Sequence, residues 1–213
     1  MAVPSRSYVD PDQWEAEMEL IFKRVPLMLA FTAELPNAGD YKAMDVIGLP
    51  VLINRDKAGT VRAFLNVCPH RGSQLVTADL GSLSQFTCPF HSWQFALDGT
   101  CTSVTDAETF RPEVLCHGTD LSSVRCEVAA GFVFISMDPD IIPLAEFLGP
   151  ILPQLELYEA DQMYVVQHRR SDWGSNWKGG VDAFAEIYHL HAVHPQTQCL
   201  MDDRTQIDLW PGG

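Results

Sequence analysis

The sequence has no run of about 18 or more uncharged apolar residues, which excludes a transmembrane helix. It is also short of positive charge, with 14 Lys and Arg residues against 28 Asp and Glu residues and a formal net charge of -14. Because nucleic-acid binding needs clustered cations to neutralise phosphates, this balance excludes nucleic acid as a partner. Six cysteines among 213 residues are too few for a disulfide scaffold.

The N-terminal residues lack the apolar stretch of a leader peptide. Acidic residues begin at Asp10, and no apolar core precedes it. Signal peptides need such a core and transit peptides avoid acidic residues, so we expect neither, and we expect a cytoplasmic protein. A hydrophobic fraction of 46% with 20% charged residues indicates a globular chain with one large domain or two small ones.

Short apolar runs separated by Gly, Asp, Asn and Pro dominate residues 36–140. Such runs predict antiparallel strands, so these residues are assigned to an all-β domain. Before it, residues 1–35 are predicted to hold an N-terminal helix, with Trp14, Met18 and Ile21 at helical spacing, and a lead-in strand.

The rest of the chain changes character. Residues 141–160 are Pro-rich and acidic and are predicted to be a linker with one helical turn around Leu144 to Leu148. Residues 161–213 open with an alternating run, 163–171, that predicts a strand, and continue with a helix that ends at or before Pro195. The fold class is thus α+β: an antiparallel all-β domain followed by the incomplete start of a domain in which helices pack on an antiparallel sheet.

Two short motifs in the β domain combine cysteine with histidine. The run C-P-H-R-G holds Cys68 and His70, the run C-P-F-H-S-W holds Cys88 and His91, and seventeen residues separate His70 from Cys88. A zinc site is one interpretation, although zinc sites normally group the two cysteines together and the two histidines together. Burial of the cysteines for packing alone is another. One Cys and one His on each loop suit a two-iron cluster in which one iron takes both thiolates and the other takes both histidines.

These residue types and spacings resemble the Rieske [2Fe-2S] domain. The resemblance implies that Cys68 and Cys88 bind one iron of the cluster, while His70 and His91 bind the other. Trp93 is expected to shield one side of the cluster from water. Residues 36–140 are therefore interpreted as a Rieske domain.

The type of Rieske protein can be narrowed further. Respiratory-chain members carry an additional cysteine in each loop, and the two form a disulfide. This chain has Ser73 and Phe90 at those places, so the resemblance is to the oxygenase or ferredoxin type. The remaining cysteines are predicted to serve packing: Cys101, Cys116, Cys126 and Cys199.

A second group of metal-binding residue types follows the predicted linker. Asp182, Glu186 and His189 are spaced i, i+4 and i+7, which places them on one face of a continuous helix, and His191 and His194 follow closely. A solvated, charged helix face is the plain alternative. Apolar neighbours indicate instead a buried helix, in which unpaired carboxylates and imidazoles would be costly. Two histidines and a carboxylate on one face of a metal form the facial triad of non-haem Fe(II) oxygenases.

This segment resembles the iron-binding segment of Rieske non-haem iron oxygenase large subunits, in which an acid, two residues, a histidine, four residues and a second histidine follow one another. The resemblance implies that His189 and His194 bind a mononuclear iron. It also implies that Glu186 passes electrons to this iron from the Rieske cluster of a neighbouring subunit, and we assign Asp182 to the same catalytic group. A Glu at this position occurs in members that act on quaternary ammonium compounds.

Helix geometry alone favours a different pair of ligands. Residues five apart lie about 140° apart around an ideal helix, whereas His191 and His194 would face the same way. We keep His191 as the reserve ligand and expect the helix to widen or unwind between Leu190 and Val193 if His189 and His194 are the pair.

The resemblance covers essentially the whole chain but only about the first half of such a large subunit. Residues 161–213 are therefore interpreted as the start of a truncated catalytic domain. The third iron ligand of the family, a carboxylate on a later helix, lies outside this resemblance, and Asp202, Asp203 and Asp208 are interpreted as surface acids.

The function implied is that of a Rieske mono- or dioxygenase component. It would accept electrons from an NAD(P)H-dependent reductase or a ferredoxin and use O2 to hydroxylate a small organic substrate, with aromatic compounds among the candidates. At full length it would form a homotrimer. A Rieske electron-transfer protein, or an inactive fragment without oxygenase activity of its own, is the alternative, and a zinc-binding interaction module is a third.

Overall fold

The computed structural model describes residues 3–115 and 118–197. Contacts divide the chain into two units, one of Met18–Gln167 and the other of Met1–Glu17 with His168–Gly213. Within the described residues the strands all lie in the first unit, and they are β1 Leu27–Phe31, β2 Asp40–Val46, β3 Leu49–Arg55, β4 Val61–Leu65, β5 Leu80–Ser82, β6 Phe86–Thr87, β7 Gln94–Phe95, β8 Cys101–Ser103, β9 Ser123–Ala129 and β10 Phe132–Ser136. The α-helices are α1 Arg6–Val9, α2 Pro11–Glu17, α3 Pro112–Leu115, α4 Leu144–Leu148, α5 Leu152–Glu156, α6 Trp177–Phe184 and α7 Leu190–Val193.

Shorter helical pieces complete the described secondary structure. A π-helix follows α2 at Met18–Phe22. Five 3-10 turns lie at Thr32–Glu34, Ala107–Thr109, Gly149–Ile151, Ala160–Gln162 and Pro195–Thr197. No helix in the described parts of the chain is long and apolar enough to cross a membrane.

Two antiparallel sheets form the larger unit. One has seven strands in the order β1-β10-β9-β4-β3-β2-β5, and the other has three in the order β6-β7-β8. The strand pairs of both sheets are antiparallel, and β2 and β3 are joined by a tight turn at Ile47 and Gly48, both in the left-handed region. The mixture of helices with antiparallel sheets confirms the predicted α+β class.

Apolar side chains that point alternately to the two faces of the central strands form two separate hydrophobic cores. On β3, Val51 and Ile53 belong to one hydrophobic cluster, while Leu52 between them belongs to another. Neighbouring side chains on a strand point to opposite faces, so the large sheet has apolar packing on both sides. The cluster that contains Leu52 also contains Phe86 and Phe95 of the small sheet. The two sheets are therefore held together by this core.

The segment after β10 is helical and packs against that strand. Leu144 and Leu148 of α4 are buried against Phe134, which agrees with the predicted helical turn at Leu144 to Leu148. Arg125 on β9 donates hydrogen bonds to the carbonyl oxygens of Pro139 and Ile141, so the chain leaving β10 is tied to the sheet.

Three features of the smaller unit, and of the chain that leads into it, differ from the sequence-based expectation. Residues 163–171 form no strand; a strand needs a neighbour to complete its hydrogen bonds, and the described residues offer none here. The predicted long helix is broken, because α6 ends at Phe184 and α7 begins only at Leu190. No residue of α6 is buried, and Phe184 is 79% exposed, since no second layer covers it within the described residues.

Several residues singled out in the sequence lie outside the described residues. These are Cys116, Cys199, Asp202, Asp203 and Asp208.

The turn between β9 and β10 generates a stability prediction. Gly131 has a φ of +81°, and a Cβ there would collide with the backbone nitrogen of Asp161. Gly59 has a similar φ of +85° but no atom within 4 Å of its Cβ position. We expect Gly59→Ala to lower the free energy of unfolding by about 1 kcal/mol and Gly131→Ala by about 3 kcal/mol, because only the second adds a clash between backbones. Urea unfolding followed by circular dichroism measures both free energies. Equal decreases in the two variants would show that the close approach of Gly131 to Asp161 does not contribute to the cost.

Candidate metal centres

Two loops of the larger unit share one backbone design. In the first loop, residues 68–73, the N–H of Gly72 donates to the carbonyl oxygen of Cys68 at 2.9 Å, and the N–H of Cys68 donates to that of Ser73 at 2.7 Å. In the second loop, residues 88–93, the N–H of Ser92 donates to the carbonyl oxygen of Cys88 at 2.9 Å. The N–H of Cys88 donates to the carbonyl oxygen of Trp93 at 2.8 Å. Each loop is thus a closed turn that begins with a cysteine.

The fourth residue after each cysteine is in the left-handed region. Gly72 has a φ of +72° and Ser92 a φ of +60°. Glycine adopts this conformation freely, whereas Ser92 is held there against the usual steric preference of a residue with a Cβ. The matching conformations show that the loops wrap in the same way although their histidines stand at different positions, His70 two residues and His91 three residues after the cysteine.

The two thiols are buried in the core that joins the sheets. Cys68 is 2% exposed and Cys88 is 1% exposed. Burial raises the pKa of the Cys68 thiol, although the backbone N–H of His70 donates to its sulfur. Burial also opposes ionisation of Cys88, but the N–H groups of His91 and Phe90, together with the side chains of Cys68 and Ser73, outweigh it and hold the pKa of that thiol below its ordinary value. The loops therefore aim N–H groups at sulfur, which favours the thiolate that a metal needs.

The two imidazoles lie beside each other, with ring centroids 4.7 Å apart for His70 and His91. The Nδ1 atoms of both rings are buried and have no hydrogen-bond partner among the described residues. Burial, together with the nearby His91, lowers the pKa of His70, so the ring stays neutral. A buried nitrogen without a partner is costly, and iron coordination would satisfy both.

Aromatic side chains enclose the imidazole pair. Trp93 stacks on His70 with ring centroids 4.8 Å apart and planes 4° from parallel, and Phe110 meets the edge of the same ring. Trp93 is buried, while Phe90, which lies against His91, is exposed. Trp93 thus lies against a candidate ligand, and the shielding role expected for it stays a prediction.

The arrangement fits a two-iron cluster better than a single metal ion. Within residues 3–115 and 118–197, no group of three or more His, Cys, Asp or Glu side chains converges on a common metal position. Structural zinc needs four ligands around one point. A Rieske cluster needs only a thiolate pair for one iron and an imidazole pair for the other. The thiols of Cys68 and Cys88, which hydrogen-bond to each other, and two imidazole nitrogens without a partner supply those pairs.

The second group of residues is built around the break between α6 and α7. The carboxylate of Glu186 accepts the backbone N–H of His189 at 3.0 Å and contacts its Nδ1 at 2.6 Å. This side chain thus takes a backbone donor that a continuous helix would use, which explains why the predicted helix is interrupted. Hydrogen bonding to His189 lowers the pKa of Glu186, so the carboxylate is ionised.

The break brings together the two histidines that an ideal helix would separate. His189 precedes α7 and His194 follows it, and their ring centroids are 5.5 Å apart. The unwinding lies before Leu190, earlier than the expected position between Leu190 and Val193. His191 lies within α7 and is exposed, whereas His189 and His194 are both half-buried.

Asp182 does not join this group through a continuous helix face. It lies on α6, where its carboxylate accepts a hydrogen bond from the hydroxyl of Tyr8 at 2.5 Å. The predicted common face of Asp182, Glu186 and His189 is therefore wrong, because α6 ends before Glu186.

A buried ion pair that the sequence did not indicate anchors the start of α6. Glu17, at the end of α2, contacts the Nζ of Lys178 at 2.6 and 2.7 Å and accepts the indole N–H of Trp177 at 2.7 Å. The side chain of Glu17 is 5% exposed. Because the partners are 161 residues apart, no local periodicity could have revealed the contact.

Comparison with known proteins agrees with this geometry. Residues 25–124 match the Rieske [2Fe-2S] domain family, and residues 160–208 match the catalytic domain of ring-hydroxylating alpha subunits. The chain belongs to the family of Rieske oxygenase large subunits. The predicted Rieske domain and the catalytic segment are thus confirmed as family assignments, and this family uses a [2Fe-2S] cluster and a mononuclear iron.

Individual relatives give the extent of the similarity. The chain is 34% identical over 210 residues to the carnitine monooxygenase oxygenase subunit of Escherichia coli K12, covering 98% of this chain and 55% of the relative. It is 29% identical over 211 residues to the anthranilate 1,2-dioxygenase large subunit of Acinetobacter baylyi, covering 96% and 45%. The crystal structure of an apo quaternary ammonium Rieske monooxygenase, CntA, matches with a TM-score of 0.84 at 30% identity, covering 91% of this chain and 57% of that one. The chain therefore spans about half the length of the relatives it matches.

Glu17 generates a prediction about pH. The ion pair with Lys178 and the bond from Trp177 lower the pKa of Glu17 to about 2. An unfolded Glu titrates at about 4.3, so the stabilisation is complete above that pH and is lost as the pH falls toward 2. We expect Glu17→Gln to lower the melting temperature at pH 6 and to flatten its decrease between pH 4.5 and pH 2.

Thermal melts across this pH range measure the effect, with Glu15→Gln as the matched control because it removes an exposed carboxylate from the same helix. Parallel curves for wild type and Glu17→Gln would contradict the buried ion pair.

Proposed function

We propose that this chain carries the electron-accepting and iron-binding part of a Rieske oxygenase that hydroxylates a small organic substrate with O2. The observation that carries the proposal is the paired arrangement in the β unit: two buried thiols receive backbone N–H groups, and two adjacent imidazoles have buried, unpartnered Nδ1 atoms. A core that served packing alone would not contain buried imidazole nitrogens without a hydrogen-bond partner.

The residues that would hold the cluster are Cys68 and Cys88 on one iron and His70 and His91 on the other. When bound, the cluster accepts and releases one electron at a potential raised by its neutral imidazole ligands. Both loops donate backbone N–H groups to sulfur, which favours the thiolate form, and the net effect is a lowered pKa at Cys88 and a raised pKa at Cys68, where burial dominates. Trp93 covers one face of His70 and excludes water from that side.

The residues that would hold the mononuclear iron are His189 and His194. This iron, when bound, supplies the O2 chemistry of the family. Glu186 holds the Nδ1 of His189 and so leaves Nε2 as the nitrogen for a metal. The same carboxylate would serve as the electron bridge expected from the family resemblance. Asp182 stays a proposed member of the catalytic group, and its carboxylate accepts a hydrogen bond from the hydroxyl of Tyr8.

Substrate class and partners follow from the relatives. A relative that acts on carnitine is 34% identical, against 29% for one that acts on anthranilate, so we favour a quaternary ammonium substrate over an aromatic one. Glu186 stands where some members of the family, including ones that act on such compounds, carry Glu. We propose an NAD(P)H-dependent reductase or a ferredoxin as electron donor and a homotrimer as the assembled form. The excess of acidic residues would favour a donor with a basic surface.

An electron-transfer protein without oxygenase activity is the second candidate. It would need the paired thiols and imidazoles but would have no use for a second group of histidines. The contact between Glu186 and His189, with His194 beside it, therefore favours the oxygenase.

The cluster assignment predicts a specific spectral loss. Cys68→Ala or Cys88→Ala should abolish the visible absorbance of the [2Fe-2S] cluster and the EPR signal of its reduced form, because one iron loses a thiolate. Cys101→Ala is the control, since Cys101 packs at the edge of the same core and should leave both signals unchanged. An intact iron–sulfur spectrum in Cys68→Ala, or a colourless wild-type protein containing zinc, would overturn the assignment.

The mononuclear assignment predicts a selective loss of metal affinity. We expect His194→Ala or His189→Ala to weaken Co(II) binding by at least tenfold, because a paired site is reduced to a single imidazole. His191→Ala should change it by less than twofold, since His191 is exposed within α7. Equilibrium dialysis with metal analysis measures all three. A loss in His191→Ala and His194→Ala, without one in His189→Ala, would transfer the role to His191 and His194.

A further inference from the structure

Asn66 stands at the entrance to the first loop and pairs with the chain that leaves it. It is 1% exposed and lies two residues before Cys68. Its Nδ2 donates to the carbonyl oxygen of Val76 at 2.8 Å, and its Oδ1 accepts the N–H groups of Leu75 and Val76 at 3.2 and 3.1 Å. One side chain therefore makes three bonds across the loop that carries Cys68 and His70.

The two loops are closed at their bases by different means. The second loop is flanked by paired strands, with Phe86 opposite Phe95 and Thr87 opposite Gln94. The first loop has a single backbone bridge, between Val67 and Gln74. A single bridge leaves the neighbouring backbone groups of the first loop without the ladder that fixes the second.

The backbone of Asn66 cannot extend that bridge into a ladder, because its N–H donates to the carbonyl oxygen of Pro50 at 2.8 Å. Its side-chain amide takes over the pairing, since it offers a donor and an acceptor as a peptide group does. An Asp would keep the acceptor but place a carboxylate against the carbonyl oxygen of Val76, and an Ala would leave three buried backbone groups unpaired.

We propose that Asn66 is a positioning residue for the cluster: its side chain replaces a missing strand pair and fixes where the first loop presents Cys68 and His70. The inference rests on the proposed cluster site. It goes beyond that site because Asn66 is not a ligand and acts only through the loop it closes.

The experiment compares three variants of the full 213-residue chain purified with its cluster. Asn66→Ala and Asn66→Asp remove the pairing to different degrees. Asn54→Ala is the control, because Asn54 on β3 is as buried as Asn66 and donates to the carbonyl oxygen of Leu97, outside both loops, at 2.9 Å. Urea midpoints record the loss of global stability in each variant.

The readouts are the rate of cluster loss at 25 °C from the visible absorbance, the g-values of the reduced cluster by EPR and its midpoint potential. We expect at least tenfold faster cluster loss in both Asn66 variants, with altered g-values and potential, and less than a twofold change in Asn54→Ala. If the Asn66 variants match Asn54→Ala in all three readouts at similar urea midpoints, Asn66 is only a core residue and the inference is wrong.

Amide hydrogen exchange in the wild-type chain decides the case even where a variant fails to fold. The N–H groups of Leu75 and Val76 should exchange only at the rate of global unfolding if Asn66 holds them. Exchange at the rate of an open loop would overturn the inference. A wild-type protein without any iron–sulfur spectrum would instead count against the proposed function, and the exchange of these two amides would still test the loop closure separately.

Discussion

Placing two thiols in an apolar core is the constraint on which the β unit depends. Cys68 and Cys88 are as buried as the leucines and phenylalanines around them, and burial by itself keeps a thiol protonated. The backbone opposes this effect of burial, because each loop turns N–H groups toward sulfur, and at Cys88 the pKa of the thiol falls below its ordinary value. Such a turn requires a residue in the left-handed region at the same point of each loop, and Gly72 and Ser92 occupy it. The chemistry of sulfur thus dictates the conformation of both loops.

The same constraint explains why two sheets are needed. The loops must converge, so they have to be carried by separate elements that a common core locks together. The first loop follows β4 of the large sheet, and the second is the tip of the hairpin of β6 and β7. Phe64 from the large sheet and Phe95 from the small one are both completely buried in the core that contains the thiols. Packing between sheets therefore fixes the distance between ligand pairs.

The sequence predicted those features that depend on neighbouring residues. The motifs around Cys68 and Cys88 carry their own turn chemistry, so residue types and spacing were enough to identify the paired loops. The helical turn at α4 and the antiparallel character of the strands were likewise predictable from local pattern. Contacts between distant residues were not. Glu17 gives no local sign that it will meet Lys178, and Asn66 gives none that its amide will replace a strand pair.

The failures of prediction around α6 and α7 have the same origin. Periodicity indicated one long helix, but it takes no account of a side chain that competes for a backbone donor, as Glu186 does for the N–H of His189. That competition is also what makes the histidine pair feasible. On an ideal helix, residues five apart diverge by about 140°. His189 lies just before the four-residue helix α7 and His194 just after it, so the spacing of about 100° per residue in a helix does not set the directions of their side chains. The two ring centroids are 5.5 Å apart. The interruption of the helix is therefore the feature that allows this sequence spacing to form a metal-binding pair.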